Sequence, residues 1–288
     1  MATQTETKIM AIDTVVNLPD PNRVRHHEWI LEERPGFGGR EPNMTPERYL
    51  EKMDAAGIEK SFLIAAKAGS KYEGYMDAVP YEEVAEIVNK YPDRFYGLAG
   101  IDPWEGMEGV RALESAVKEM GFIGAHLYPH WFRMEPDHRK YYPFYAKCVE
   151  LDIPIQMQVG HCLIYIKDRP PLASVGRPIL LDTIACDLPE LKLIGIHTGW
   201  PWVEEMISVA WKHPNVYIGS DAFAPKYWKP EFVQFINSWG QNKVLFGTDY
   251  GVIDNERAMA EIEELGLKPE SKRKLLRENA VRVYNLDI

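Results

Sequence analysis

Eight short apolar, largely β-branched runs recur along the chain, at residues 9–16, 61–66, 95–101, 122–128, 154–159, 193–197, 216–220 and 244–247. Each has strand length and lacks a helical period. Most are continuously apolar rather than alternating, as in strands buried on both faces. Between them lie stretches of helical period, at 46–56, 82–90, 108–120, 140–150, 179–186, 203–212, 231–238 and 256–265, and a last one at 270–284 closes the chain. The stretch 46–56 opens with Thr45 as N-cap and Pro46 at the first helical position, and it stops at Gly57. In 203–212 the apolar positions Val203, Met206, Ile207 and Ala210 form one stripe. Strand and helix in strict alternation require a parallel sheet with right-handed crossovers. Eight repeats in 288 residues predict an α/β chain folded as a (β/α)8 TIM barrel, one domain over 1–288.

This fold directs attention to one face. The longer connections, 18–44, 67–80 and 162–177, each follow a strand, so the expected ligand pocket opens beneath them at the C-terminal strand ends. The residues falling there are Asp13 to Asn17, Lys67, Asp102, His126 to His130, Gln158 to His161, His197, Ser220 with Asp221, and Asp249. Such a concentration of His and Asp is the main functional signal.

Composition excludes several classes. A net charge of −10 without a basic block weighs against nucleic-acid binding. No apolar run approaches the roughly 20 residues of a spanning helix, which weighs against a membrane partner. Neither G-x-G-x-x-G nor a P-loop occurs in a fitting context, so no nucleotide cofactor is expected. Residues 1–8 have no apolar core of the signal-peptide kind. Cys148, Cys162 and Cys186 are odd in number and lack C-x-x-C spacing, which predicts reduced thiols and a cytoplasmic location.

Four segments carry a family resemblance: 153–161; 191–199, with Ile196-His197-Thr198-Gly199; 215–218; and 243–250, with Phe246-Gly247-Thr248-Asp249. The ending Glu278-Asn279-Ala280-Val281-Arg282-Val283-Tyr284 adds to them. The chain resembles the amidohydrolase-related family that includes aminocarboxymuconate-semialdehyde decarboxylase, well over about residues 120–286 and loosely before that. The resemblance implies a barrel with a divalent metal at its mouth. The ligands would be an H-x-H pair ending strand one, a His ending strand five and an Asp ending strand eight, and the His ending strand six would be a catalytic acid/base. Only His197 and Asp249 fall on these positions. Val15 and Asn17 stand where H-x-H is expected, and Gln158 stands at the strand-five histidine, with His161 three residues later.

A divalent ion here, Zn2+ or Mn2+, would draw on Asp249, His161 and His197. Valine donates nothing, Asn17 and Gln158 are neutral, and Asp249 is the one carboxylate the family pattern supplies, so a tight zinc site is not expected. Asp249 reads as general base and His197 as the acid/base that works near neutral pH. His126, Tyr128 and His130 share strand parity. His126 and Tyr128 are read as pocket lining, and His130 reads equally well as loop surface. Asn17, Gln158 and His161 are candidates for substrate hydrogen bonds or local structure, and Asp13 is a weaker one. Arg34, Arg40 and Lys67 could hold a substrate carboxylate from the loops. Trp200 and Trp202 suit packing against a neighbouring helix or subunit.

Three functions are compatible with these residues. The first is hydrolysis of a small cyclic or aromatic lactone, amide or ester, with Asp249 activating water. The second is non-oxidative decarboxylation of an aromatic or enoic acid, with Asp249 and His197 handling the proton that replaces carbon dioxide. The third is a barrel that binds a small ligand without turnover. The resemblance further implies a homo-oligomer, such as a dimer paired through outer helices.

Overall fold

A computed structural model of the chain describes residues 9–17, 44–74, 77–162 and 172–288. Eight parallel strands form one sheet in chain order: β1 Ala11–Asn17, β2 Ile58–Ala65, β3 Phe95–Gly100, β4 Gly124–Leu127, β5 Ile155–Gln158, β6 Leu193–Ile196, β7 Val216–Gly219 and β8 Val244–Leu245. The sheet closes on itself. The Thr14 amide donates to the Phe246 carbonyl at 3.0 Å, and Val16 bridges to Tyr250 in parallel register. This is the expected TIM barrel. The strands are almost wholly buried, as continuous apolar runs demand.

The helices follow from their local signals. Pro46–Ala56 is capped by the Thr45 side chain, which accepts from the Arg48 amide, and ends on Gly57 in the left-handed region at φ 76°. Val203–Lys212 buries Val203, Met206, Ile207 and Ala210, the predicted stripe, together with Val209. The last helical run begins at Pro269 and ends at Val283, interrupted by a π-helical turn over Lys274–Glu278. Three short elements were not legible in the sequence. Lys67–Ala68 pairs antiparallel with Asp77–Ala78, and a four-residue helix, Pro129–Phe132, follows β4. Among the described residues no helix is long and apolar enough to cross a membrane.

The expected loops 18–44 and 162–177 lie largely outside the described residues, and Arg34 and Arg40 with them. Lys67 is already engaged. Its ammonium pairs with Glu105 at 2.6 Å and sits over the Tyr81 ring, so it is not a free carboxylate clamp.

Candidate active site

The ends of β6, β7, β8 and β1 converge at the mouth of the barrel. His197 follows β6 directly, and its Nε2 lies 3.3 Å from Asp221 Oδ2 and 3.6 Å from Asp249 Oδ2. Asp221 also accepts from the His197 backbone amide at 3.1 Å, so one carboxylate braces both the backbone and the ring of the histidine. Asn17, the last residue of β1, donates through Nδ2 to Asp249 Oδ1 at 2.7 Å and to the Tyr250 carbonyl at 3.0 Å. The pairing of β1 with β2 slips between Asp13 and Val16, an irregularity of the kind that re-aims side chains beside a site. The structure thus brings together His197, Asp249 and Asn17.

The backbone is strained where the two titratable groups emerge. His197 has φ 64°, Thr198 53° and Asp249 53°, left-handed values that cost non-glycine residues about 1–3 kcal/mol and persist where the fold over-determines them. Asp221 is held by a close approach. A Cβ on Gly219 would come 2.8 Å from its Oδ1, and one on Gly247 would come 3.0 Å from its Cβ. A side chain at either position would crowd this carboxylate.

Burial sets the electrostatics. It pushes the Asp221 carboxyl well above the ordinary carboxylate range and lowers the affinity of His197 for a proton, against the pull of Asp249. Asp13, fully buried in β1, accepts from the Thr248 amide and hydroxyl at 3.0 and 2.6 Å, and burial raises it to about 7. It therefore anchors the turn that presents Asp249.

Three expectations need correction. His161 is not part of the cluster. Its Nδ1 pairs with Ser174 Oγ at 2.7 Å, and its ring stacks on Trp202 and tilts against Trp200, which explains both tryptophans locally. Asp249 is not the only carboxylate. Asp221 was visible as a strand-seven terminus but lies outside the resemblance pattern, and proximity to His197 is a property of barrel closure. His130 is not loop surface. It sits buried on the short helix Pro129–Phe132, with neither ring nitrogen hydrogen-bonded among the described residues. His126 is fully buried, its ring centroid 4.3 Å from that of Tyr128. Gln158 ends β5 partly exposed. On the same face, Tyr72, Trp104, Trp131, Phe132 and Arg133 line a cavity of about 300 Å³.

A divalent cation suits this cluster on one structural ground. His197 Nε2 and Asp221 Oδ2 are buried, face each other at 3.3 Å and have no hydrogen-bond partner among the described residues. Ligand atoms of His197, Asp221 and Asp249 all lie within 4.8 Å of one another. Two carboxylate oxygens and one imidazole nitrogen fit an oxygen-preferring ion such as manganese better than a sulfur- or nitrogen-rich zinc tetrahedron.

The family model described as amidohydrolase matches residues 19–286. The chain belongs to the amidohydrolase family. The chain is 33% identical over 214 residues to the 2-keto-4-carboxy-3-hexenedioate hydratase of Sphingobium sp. strain SYK-6, covering 60% of this chain and 61% of that protein. It is 30% identical over 145 residues to the gamma-resorcylate decarboxylase of Polaromonas sp. strain JS666, covering 46% of this chain and 41% of that one. The chain thus spans under two thirds of the length of either curated relative. Among solved structures it superposes on an uncharacterized TIM-barrel protein of Bordetella bronchiseptica with a TM-score of 0.75 and 26% identity, over 95% of this chain and 98% of the other. The protein is an enzyme of the amidohydrolase superfamily, and its named relatives are a hydratase and a decarboxylase.

Proposed function

We propose that this enzyme is a lyase that removes carbon dioxide, without oxidation, from a small aromatic or enoic acid. The observation that carries the reading is the His197–Asp221–Asp249 cluster: one imidazole held between two carboxylates at 3.3 and 3.6 Å, at the mouth of a barrel. Decarboxylation needs a proton delivered to the carbon that carries the carboxylate. The bond to carbon dioxide then breaks, and its electron pair returns to the conjugated system. His197 with Asp249 holds and delivers that proton, and Asp221 orients the ring that carries it. Asn17 fixes Asp249, and His126, Tyr128 and Gln158 orient the substrate. A divalent ion held by Asp221 and Asp249 would supply Lewis acidity toward a substrate carboxylate, leaving the His197 imidazole to carry the proton.

Hydrolysis of a lactone, amide or ester has less support, since neither named relative is a hydrolase. Hydration of an enoic acid is the second reading, favoured by the hydratase as the longer of the two matches. A single catalytic domain over 1–288, a cytoplasmic location and a homodimer belong to the same proposal.

The test is a panel of hydroxybenzoic and conjugated enoic acids incubated with the purified enzyme in heavy water. Decarboxylation releases carbon dioxide and leaves deuterium on the carbon that lost it. Water gained with every carboxylate retained would make the enzyme a hydratase. Turnover of esters or lactones alone would return the reading to hydrolysis.

A further inference from the structure

The barrel interior holds a polar line that the cluster does not use. Gln156, in the middle of β5, is fully buried and stands in register with His126 on β4. Barrel interiors are ordinarily filled by apolar branched side chains, so a buried glutamine requires partners. Its Oε1 accepts from the hydroxyl of Tyr284 at 3.1 Å, and its Nε2 is 2.9 Å from Nδ1 of His126. Tyr284 comes from the C-terminal end of the chain, buried edge-on against Phe62 of β2 at 4.8 Å between centroids.

The two hydrogen bonds fix the direction of the line once the tyrosine is the donor. The tyrosine hydroxyl donates to the amide oxygen, and the amide nitrogen donates to Nδ1. Reversing the amide would leave the buried hydroxyl proton with no acceptor among the described residues. Nδ1 of His126 is therefore an acceptor, and a neutral imidazole with an accepting Nδ1 carries its proton on Nε2. That Nε2 is buried and has no hydrogen-bond partner among the described residues. Burial pushes the His126 ring down to about 3, with His197 close enough to add to the effect, so it stays neutral across the working range. A buried N–H without an acceptor costs about 1–3 kcal/mol, so this one calls for a ligand atom or an ordered water to complete it.

We propose that Tyr284 and Gln156 are positioning residues that lock His126 as its Nε2–H tautomer, and that this N–H donates to a carboxylate oxygen of the substrate. The proposal rests on the carboxylic-acid reading above for the identity of the acceptor but not for the tautomer. A neutral donor recognises an anion without adding a second charge beside His197. It therefore complements proton delivery instead of competing with it.

Two measurements on the full chain test this. The first is long-range ¹⁵N–¹H correlation of ¹⁵N-histidine-labelled protein at neutral pH, with the His126 signals assigned by their loss in His126→Gln. The expected pattern is a protonated Nε2 and an unprotonated Nδ1. In Gln156→Glu the carboxylate at that position accepts from Nδ1, and the pattern should invert. Gln156→Leu, which only removes the partner, should give a mixture of tautomers. The second is titration with benzoate as a carboxylate probe. It should shift the Nε2–H resonance of the native protein, and in Gln156→Glu benzoate should bind about tenfold more weakly. A protonated Nδ1 in the native protein overturns the tautomer. Benzoate that leaves the Nε2–H resonance unmoved, or binds Gln156→Glu as tightly, overturns the donor role. A failed carbon dioxide assay with the expected NMR pattern would count against the lyase reading and leave the tautomer standing.

Discussion

Nε2 of His197 stands 3.3 Å from Oδ2 of Asp221 without the alignment of a hydrogen bond, although both atoms are buried. Two such groups are held apart at a cost unless a proton or a cation lies between them in the working enzyme. Asp221 is thus as much a member of the site as Asp249.

Asp221→Asn, Asp249→Asn and His197→Asn should each lower turnover about 10²–10⁴-fold, the usual contribution of a positioned acid or base. The measurement is kcat on the best acid of the panel, with circular dichroism to show that the fold persists. An Asp221→Asn enzyme within a few-fold of the native rate would remove Asp221 from the site.

Metal and proton compete for the same atoms, so manganese binding should release protons and tighten as pH rises from 6 to 8. Isothermal titration calorimetry in two buffers of different ionisation enthalpy reads the proton directly. Asp221→Asn should weaken manganese about tenfold or more, the usual cost of losing a partner at a metal site. His161→Ala should leave the affinity unchanged, because His161 is tied to Ser174 and Trp202. Equal losses in the two variants would restore His161 as a ligand.

Gly247→Ala introduces a Cβ 3.0 Å from that of Asp221 and 3.1 Å from Cγ2 of Val15. Overpacking of this kind costs about 1–3 kcal/mol. For a chain of this size that lowers Tm by about 2–5 °C. Because the displaced group is Asp221, activity should fall more than stability does. Differential scanning calorimetry beside kcat separates the two effects, and loss of both in proportion would mean only a damaged fold.

Asp13 supplies a pH signature. Its folded value of about 7 lies above the ordinary 3.8, so the native state keeps this proton through a range where the unfolded chain has released it. The contribution to stability is present below pH 4 and is lost as pH rises through 7, at no more than about 1.4 kcal/mol per pH unit. In Asp13→Asn this component disappears, and urea midpoints between pH 4 and 7 should fall less steeply than in the native protein. Parallel slopes would show that Asp13 ionises normally in the fold.

Strand and helix placement, the barrel, and the pairing of His197 with Asp249 were legible in the residues themselves. Apolar periodicity, caps and chain order are local properties, and they decide which residues fall at strand ends. The helix Pro46–Ala56 agrees with its prediction at both ends because Thr45, Pro46 and Gly57 mark it chemically. Closure of the barrel decided the rest. Asp221 becomes a partner of His197 only when β7 is set beside β6, and two glycines, one ending β7 and one just after β8, make its space. His130 is buried by a four-residue helix too short to leave a periodic signal. Gln156 shares the parity of Gln158 and could have been marked as polar in an apolar run. Its partners, His126 and Tyr284, lie 30 and 128 residues away in sequence. Hydrogen bonding across such separations depends on where the folded chain places two atoms within about 3 Å, and no local pattern encodes that distance.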